Sequence, residues 1–123
     1  MKQLLLATLT VLMMLTSCSK PKEVDYAKLK MVNNLLSDPD TKKPFTGISR
    51  DFHPDGKLKS EFPIKDGVFH GTVKEWYANG KPYAETEWVN GERTGRNMEW
   101  KESGEPYQER VYDKDRIVSE KKF

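Results

Sequence analysis

The sequence predicts an all-β chain: an antiparallel meander of stacked β-hairpin repeats that follows a cleaved N-terminal signal helix. Glycines recur at a spacing of 24 residues, as Gly47, Gly71 and Gly95 and again as Gly56, Gly80 and Gly104. Larger side chains keep the same period, with Phe52, Trp76 and Trp100 in one column, Ile64, Trp88 and Tyr112 in a second, and Glu61, Glu85 and Glu109 in a third. Each unit also holds two turn signals, and a period in the twenties with two turns per unit marks an array of hairpins, each resting on its neighbour. The repeats span residues 47–70, 71–94 and 95–118.

The N-terminal segment has one early cation, Lys2, then an uncharged stretch from Leu4 to Leu15, then Ser17 and the only cysteine, Cys18. That order reads as a secretory signal peptide ending in a lipoprotein cleavage box. Its apolar part is about twelve residues long, whereas a helix crossing a hydrocarbon core needs about twenty. A buried first helix with a core cysteine fits poorly, because Ser19-Lys20-Pro21-Lys22-Glu23 follows at once and is polar. The organisation read from this is a signal peptide over 1–17, a tether over 18–25 and a hairpin-repeat domain over 26–123. Residues 18–123 are enough for one small domain and too few for two.

After the tether, Lys28 to Leu36 can supply a strand, although Tyr26 to Leu36 also fits a short helix. Ser37-Asp38-Pro39-Asp40 then turns the chain toward Pro44-Phe45-Thr46. The first turn of each repeat is Pro54-Asp55-Gly56, Ala78-Asn79-Gly80 or Glu102-Ser103-Gly104. Pro54 cannot take the positive φ of a type I′ turn, so a three-residue loop closed by a left-handed glycine is expected, pairing His53 with Lys57 and Phe52 with Leu58. Asp66-Gly67 and Asn90-Gly91 make the return turns. Strict alternation from that register places Phe52, Leu58, Phe62 and Ile64 on one face, with Trp76, Ala84 and Trp88, and Trp100 and Tyr112. The other face receives His53, Lys59, Glu61, Tyr77, Tyr83, Glu85, Lys101, Tyr107 and Glu109. At the far end, Arg116 to Phe123 forms either a last strand or a frayed tail.

Several function classes drop out. Lys and Arg number 21 against 19 Asp and Glu, with signs interspersed, so there is no basic footprint for nucleic acid. The two histidines stand in columns occupied elsewhere by other residues, His53 by Tyr77 and Lys101, His70 by Thr94 and Val118, so neither has the partners a metal site or a general base requires. No serine lies in a nucleophile elbow, and the glycines are turn glycines. Repetition by the structural unit accounts for the Glu61, Glu85 and Glu109 column. No catalytic residue, metal or cofactor is therefore expected.

The aromatic stripe of Trp76, Trp88 and Trp100 has two readings. It is the core, covered by curling of the sheet or by residues 24–36 laid across it. Alternatively part of it stays open, because a single sheet is one layer and a domain needs two. An uncovered aromatic patch marks a docking surface. Tyr83 and Tyr107, among charges, form a second candidate surface of the kind that anchors interfaces.

Units such as Gly71-Thr72-Val73-Lys74-Glu75-Trp76-Tyr77-Ala78-Asn79-Gly80-Lys81 resemble the variant MORN repeat of bacterial proteins, over about residues 44–118. That resemblance implies the hairpin fold and a protein-binding or scaffolding module, and many bacterial chains with these repeats are labelled antitoxins. The N-terminal segment resembles that of bacterial lipoproteins. This implies cleavage before Cys18, acylation of that residue and a membrane anchor, with Ser19 favouring the outer membrane. The expectation is a lipid-anchored envelope protein with a protein partner, antitoxin-like or immunity-like in its sharpest form. The alternative is a structural envelope lipoprotein whose sheet contacts lipid or cell wall.

Overall fold

The structure is a computed structural model, and it describes residues 19–123; the expected signal segment and Cys18 lie outside the described residues. Eleven strands follow in order: β1 (Glu23–Asp25), β2 (Lys30–Val32), β3 (Leu35–Ser37), β4 (Gly47–Phe52), β5 (Leu58–Lys65), β6 (Val68–Phe69), β7 (Gly71–Trp76), β8 (Pro82–Val89), β9 (Glu92–Trp100), β10 (Pro106–Asp113) and β11 (Arg116–Lys122). From β4 to β11 the main sheet is an antiparallel meander in chain order, with β6 pairing only with β5; β2 and β3 form a separate hairpin. The C-terminal residues are thus a paired strand and not a frayed tail. Among the described residues no helix is long and apolar enough to cross a membrane.

The turns are those the sequence demands. Gly56, Gly80 and Gly104 have φ of 86°, 83° and 93°, and each loop closes with a pair of backbone bonds such as His53 N–H to Lys57 O at 2.8 Å and Gly56 N–H to His53 O at 2.9 Å. The return turns Asp66-Gly67 and Asn90-Gly91, and also Asn33-Asn34 and Lys114-Asp115, have positive φ at both central residues, as a two-residue type I′ hairpin requires.

Strict alternation fails just after the first turn of each repeat hairpin, besides irregularities in the β8–β9 and β10–β11 ladders. Phe52 pairs with Leu58, but Asp51 pairs with Ser60, so Lys59 faces no partner. Tyr83 is skipped in the same way between Trp76↔Pro82 and Glu75↔Ala84, as is Tyr107 between Trp100↔Pro106 and Glu99↔Gln108. These bulges, themselves 24 residues apart, exchange the faces on either side of them. The single aromatic face is therefore corrected. Phe62, Ile64, Ala84, Trp88 and Tyr112 lie on an inner face, whereas Phe52, Leu58, Trp76 and Trp100 lie on the outer one. Tyr83 and Tyr107, expected opposite the tryptophans, project from the inner side as bulge residues beside Ala84 and Gln108.

A second layer covers only the first end of the inner face. The segment from β1 to β3 combines a strand hairpin with a one-turn 3-10 helix at Tyr26–Lys28, so both readings of residues 26–36 are partly realised. Leu29, Phe45 and Ile64 form the buried core, with Val24, Tyr26, Leu36, Phe62 and Phe69 packed round it. Each such side chain contributes about 1.5–3 kcal/mol when fully buried. The sheet also begins earlier than residue 26: β1, inside the expected tether, pairs in parallel with β4, and Ser49 Oγ donates to Val24 O at 2.9 Å. The physical reason is the open edge of β4, whose Ile48 N–H donates to Lys22 O at 2.9 Å.

Asp38 ties the covering segment to the incoming chain. Its carboxylate is buried against Lys22 Nζ and accepts the N–H groups of Asp40 at 2.9 Å and Thr41 at 3.1 Å. The Lys22 ammonium first, then those N–H groups, hold the carboxyl at about 2, below its ordinary 3.8. A depressed folded value means that this stabilisation is complete above 3.8 and is lost as the pH falls toward 2. We expect denaturant midpoints measured from about pH 5 downward to fall less steeply over that window in Asp38→Asn than in the parent chain.

Candidate functional site

The candidate site is the part of the inner face that the N-terminal segment leaves uncovered. Across the sheet the same repeat columns change chemistry step by step. Phe45 and Ile64 belong to the closed core, and their equivalents Phe69 and Trp88 meet edge to face at 5.2 Å. The next equivalents, Arg93 and Tyr112, form a cation–π pair, with the guanidinium carbon 4.5 Å from the ring centroid. Likewise Ser49 and Val73 give way to Asn97, Ser60 and Ala84 to Gln108, and Phe62 to Thr86 and then Arg110. A stack of Tyr26, Phe62, Phe69 and Trp88, with successive centroids 4.6, 5.2 and 5.2 Å apart, therefore runs out from the core and ends at a polar floor.

That floor is a cleft of about 300 Å³, lined by Phe69, Trp88, Tyr83, Asn97, Glu75 and Glu99 among others. Asn97 Nδ2 donates to Thr86 Oγ1 at 2.9 Å, and Arg110 is held between Glu99 at 3.1 Å and Glu120 at 2.9 Å. Three buried polar atoms of this face have no hydrogen-bond partner among the described residues: Trp88 Nε1, Asn97 Oδ1 and Gln108 Nε2. Each such atom costs about 1–3 kcal/mol. Burial, with Glu99 second, pushes the Glu75 carboxyl up, and burial with Glu99, Glu75 and Tyr77 pushes the Tyr83 phenol up.

Of the aromatic residues singled out from the sequence, the structure brings Trp88 and Tyr83 together in this cleft, and Tyr107 shares an adjoining depression with Tyr83. Trp76 and Trp100 are the cross-strand partners of Pro82 and Pro106 on the outer side of the ladder, and each also borders a depression beside Tyr83. Cys18 is outside the described residues. Sequence reasoning missed Glu75, Glu99, Asn97 and Gln108, because the expected alternation did not allow for the bulge. On the outer face two members of the glutamate column stand in ion pairs, Glu61 with Arg50 at 3.0 Å and Glu109 with Arg96 at 2.8 Å. Among the described residues no group of three or more His, Cys, Asp or Glu is placed to hold a metal ion.

Both histidines serve the stacking of turns. His53 Nε2 sits 2.9 Å from Trp76 O, and 24 residues on Tyr77 Oη donates to Trp100 O at 2.7 Å. His70 Nδ1 accepts the Asn90 N–H at 3.2 Å, where Thr46 Oγ1 accepts from Asp66 N–H at 2.9 Å and Thr94 Oγ1 from Lys114 N–H at 3.3 Å. His70→Thr should therefore fold with unchanged stability, and His70→Ala should lose about 1 kcal/mol, measured by chemical denaturation.

No curated protein sequence and no solved structure matches the chain. Residues 45–66 and 69–90 match the family described as MORN repeat variant. The third hairpin, β9 with β10, repeats the turn and the bulge of the two matched units in the same phase. Residues 45–66 and 69–90 are thus similar to MORN repeats of the variant type, and such repeats suggest a protein-binding or membrane-associating module.

Proposed function

We propose that the chain is a lipid-anchored, non-catalytic protein-binding module of the bacterial envelope, held at the outer membrane through acylated Cys18. The observation that carries this reading is the half-covered inner face. One end of the sheet is closed by residues 24–36 into a core, while the other leaves Trp88 and Tyr83 over buried polar atoms that have no partner. A face left open and only partly satisfied suits a surface completed by another molecule. Tyr83 and Tyr107, 42% and 45% exposed, are amphipathic anchors at its rim. In its sharpest form the role is immunity-like or antitoxin-like, with a toxin that acts in the envelope as the partner.

The test is a crosslinking pull-down from envelope fractions with the full chain as bait, beside Tyr83→Ala combined with Tyr107→Ala and shown to be folded by circular dichroism. We expect one protein to be captured by the parent and lost in the variant, and Cys18→Ser to leave the membrane fraction. Recovery of the same diffuse set of abundant envelope proteins by both would replace this reading with a structural lipoprotein whose sheet contacts lipid or cell wall.

A further inference from the structure

β11 is an edge of the main sheet, and among the described residues no strand pairs with its far side. All seven of its residues are exposed. Ile117 and Val118, with Phe123 just past the strand, are 53%, 60% and 54% exposed. The open side carries backbone groups at definite positions. Phe123 N–H donates to Tyr107 O at 3.1 Å, and because an antiparallel ladder alternates, the N–H and C=O groups of Glu120 and Lys122 turn away from β10. Ile117 joins them. Phe45 O, Phe69 O and Arg93 O, each 24 residues from the next, accept an N–H from the turn that follows across the sheet. Ile117 O is the next member of that series, since Tyr112 pairs with Ile117 as Trp88 pairs with Arg93, and no turn of the described residues reaches it. In β9, the repeat equivalent of β11, the same side is the one that carries β10.

Charge sorts the strands that this edge can accept. The nearby acids are already taken, Asp113 by Arg116 at 3.2 Å, Asp115 by Arg93 at 2.8 Å and Glu120 by Arg110 at 2.9 Å. Lys114, Lys121 and Lys122 enter no ion pair among the described residues. Lys121 projects on the same side as Phe123, with its Nζ 4.5 Å from the centre of that ring, and Lys122 projects on the other side with Glu120. Each side of the edge thus presents an ammonium beside exposed apolar surface. Lysines on an edge oppose pairing with a like edge, so a second copy of β11 is disfavoured. A strand bearing carboxylates finds opposite charge across the ladder instead.

We infer that β11 accepts an extended acidic segment of a partner polypeptide as an added strand, bonded to the backbone of Ile117, Glu120 and Lys122 and with carboxylates facing Lys121 and Lys122. Main-chain bonds supply the attachment, and the two lysines supply the choice of sequence. This contact is separate from the Tyr83 cleft and does not depend on what the cleft binds.

The test is an NMR titration of the full chain in detergent micelles with an acetylated, amidated peptide as long as β11 in which glutamate and valine alternate. The comparison probes are the same peptide with lysine for glutamate, and the glutamate peptide N-methylated at alternate residues in either phase. We expect saturable shifts along β11 with the glutamate peptide, and amide exchange slowed at least about tenfold at Glu120 and Lys122 but unchanged at Lys121, which already faces β10. Lys121→Gln combined with Lys122→Gln should weaken binding at least about tenfold. Equal binding to that variant, or of the lysine peptide, overturns the acidic choice. Equal binding of both N-methylated peptides overturns strand addition, as does no response to the glutamate peptide. Protection of Glu120 and Lys122 that grows with protein concentration in the absence of peptide assigns the edge to a second copy and overturns the proposal.

Discussion

One unpaired residue just after the first turn of each repeat hairpin sets which side chains each face presents there. Lys59, Tyr83 and Tyr107 interrupt the ladder at equivalent points, and side chains before and after them exchange sides. Without the interruption Trp76 and Trp100 would fall on the same face as Ile64, Trp88 and Tyr112. With it, Glu75 and Glu99 take their place there, and the tyrosines of the bulge rise beside them. The outer face receives the displaced tryptophans among ion-paired charges such as Arg50 with Glu61 and Arg96 with Glu109.

A sheet of this kind needs a second layer, and the described residues supply one only over its first repeat. The composition of the columns follows that coverage. Where residues 24–36 lie across the sheet the equivalent positions are Phe45, Ile64 and Phe62; where no described segment lies across it they are Arg93, Tyr112 and Arg110. The core is therefore local, and the distal hairpins hold to it through backbone ladders and stacked turns. Gly67 N–H donates to Phe45 O at 2.9 Å, Gly91 N–H to Phe69 O at 2.8 Å and Asp115 N–H to Arg93 O at 2.9 Å. That arrangement gives each unit the same contacts with the next whatever its inner face carries, which leaves the face free to vary.

Much of this was legible in the residues. Pro54 excluded one turn type and required another, the glycine period fixed the number of hairpins, and Asp66-Gly67 and Asn90-Gly91 marked the reversals, because in each case backbone stereochemistry restricts the residue. The covering role of residues 24–36 followed from the need for a second layer. The bulge was not legible: lysine and tyrosine carry no conformational signature, and a one-residue slip reverses every later assignment of faces. This is why Trp76 and Trp100 were placed with Trp88, and why Glu75 and Asn97 were overlooked. The strand β1 was hidden for a similar reason, since only Val24 in a polar run points inward.

The register of the second hairpin tests the account most directly, by cross-strand nuclear Overhauser effects in the isotope-labelled chain. The bulged ladder predicts contacts between the backbone protons of Glu75 and Ala84, with none between Lys74 and Ala84. Contacts of Glu75 with Tyr83 and of Lys74 with Ala84 would mean regular pairing, with Tyr83 on the outer face and no such cleft.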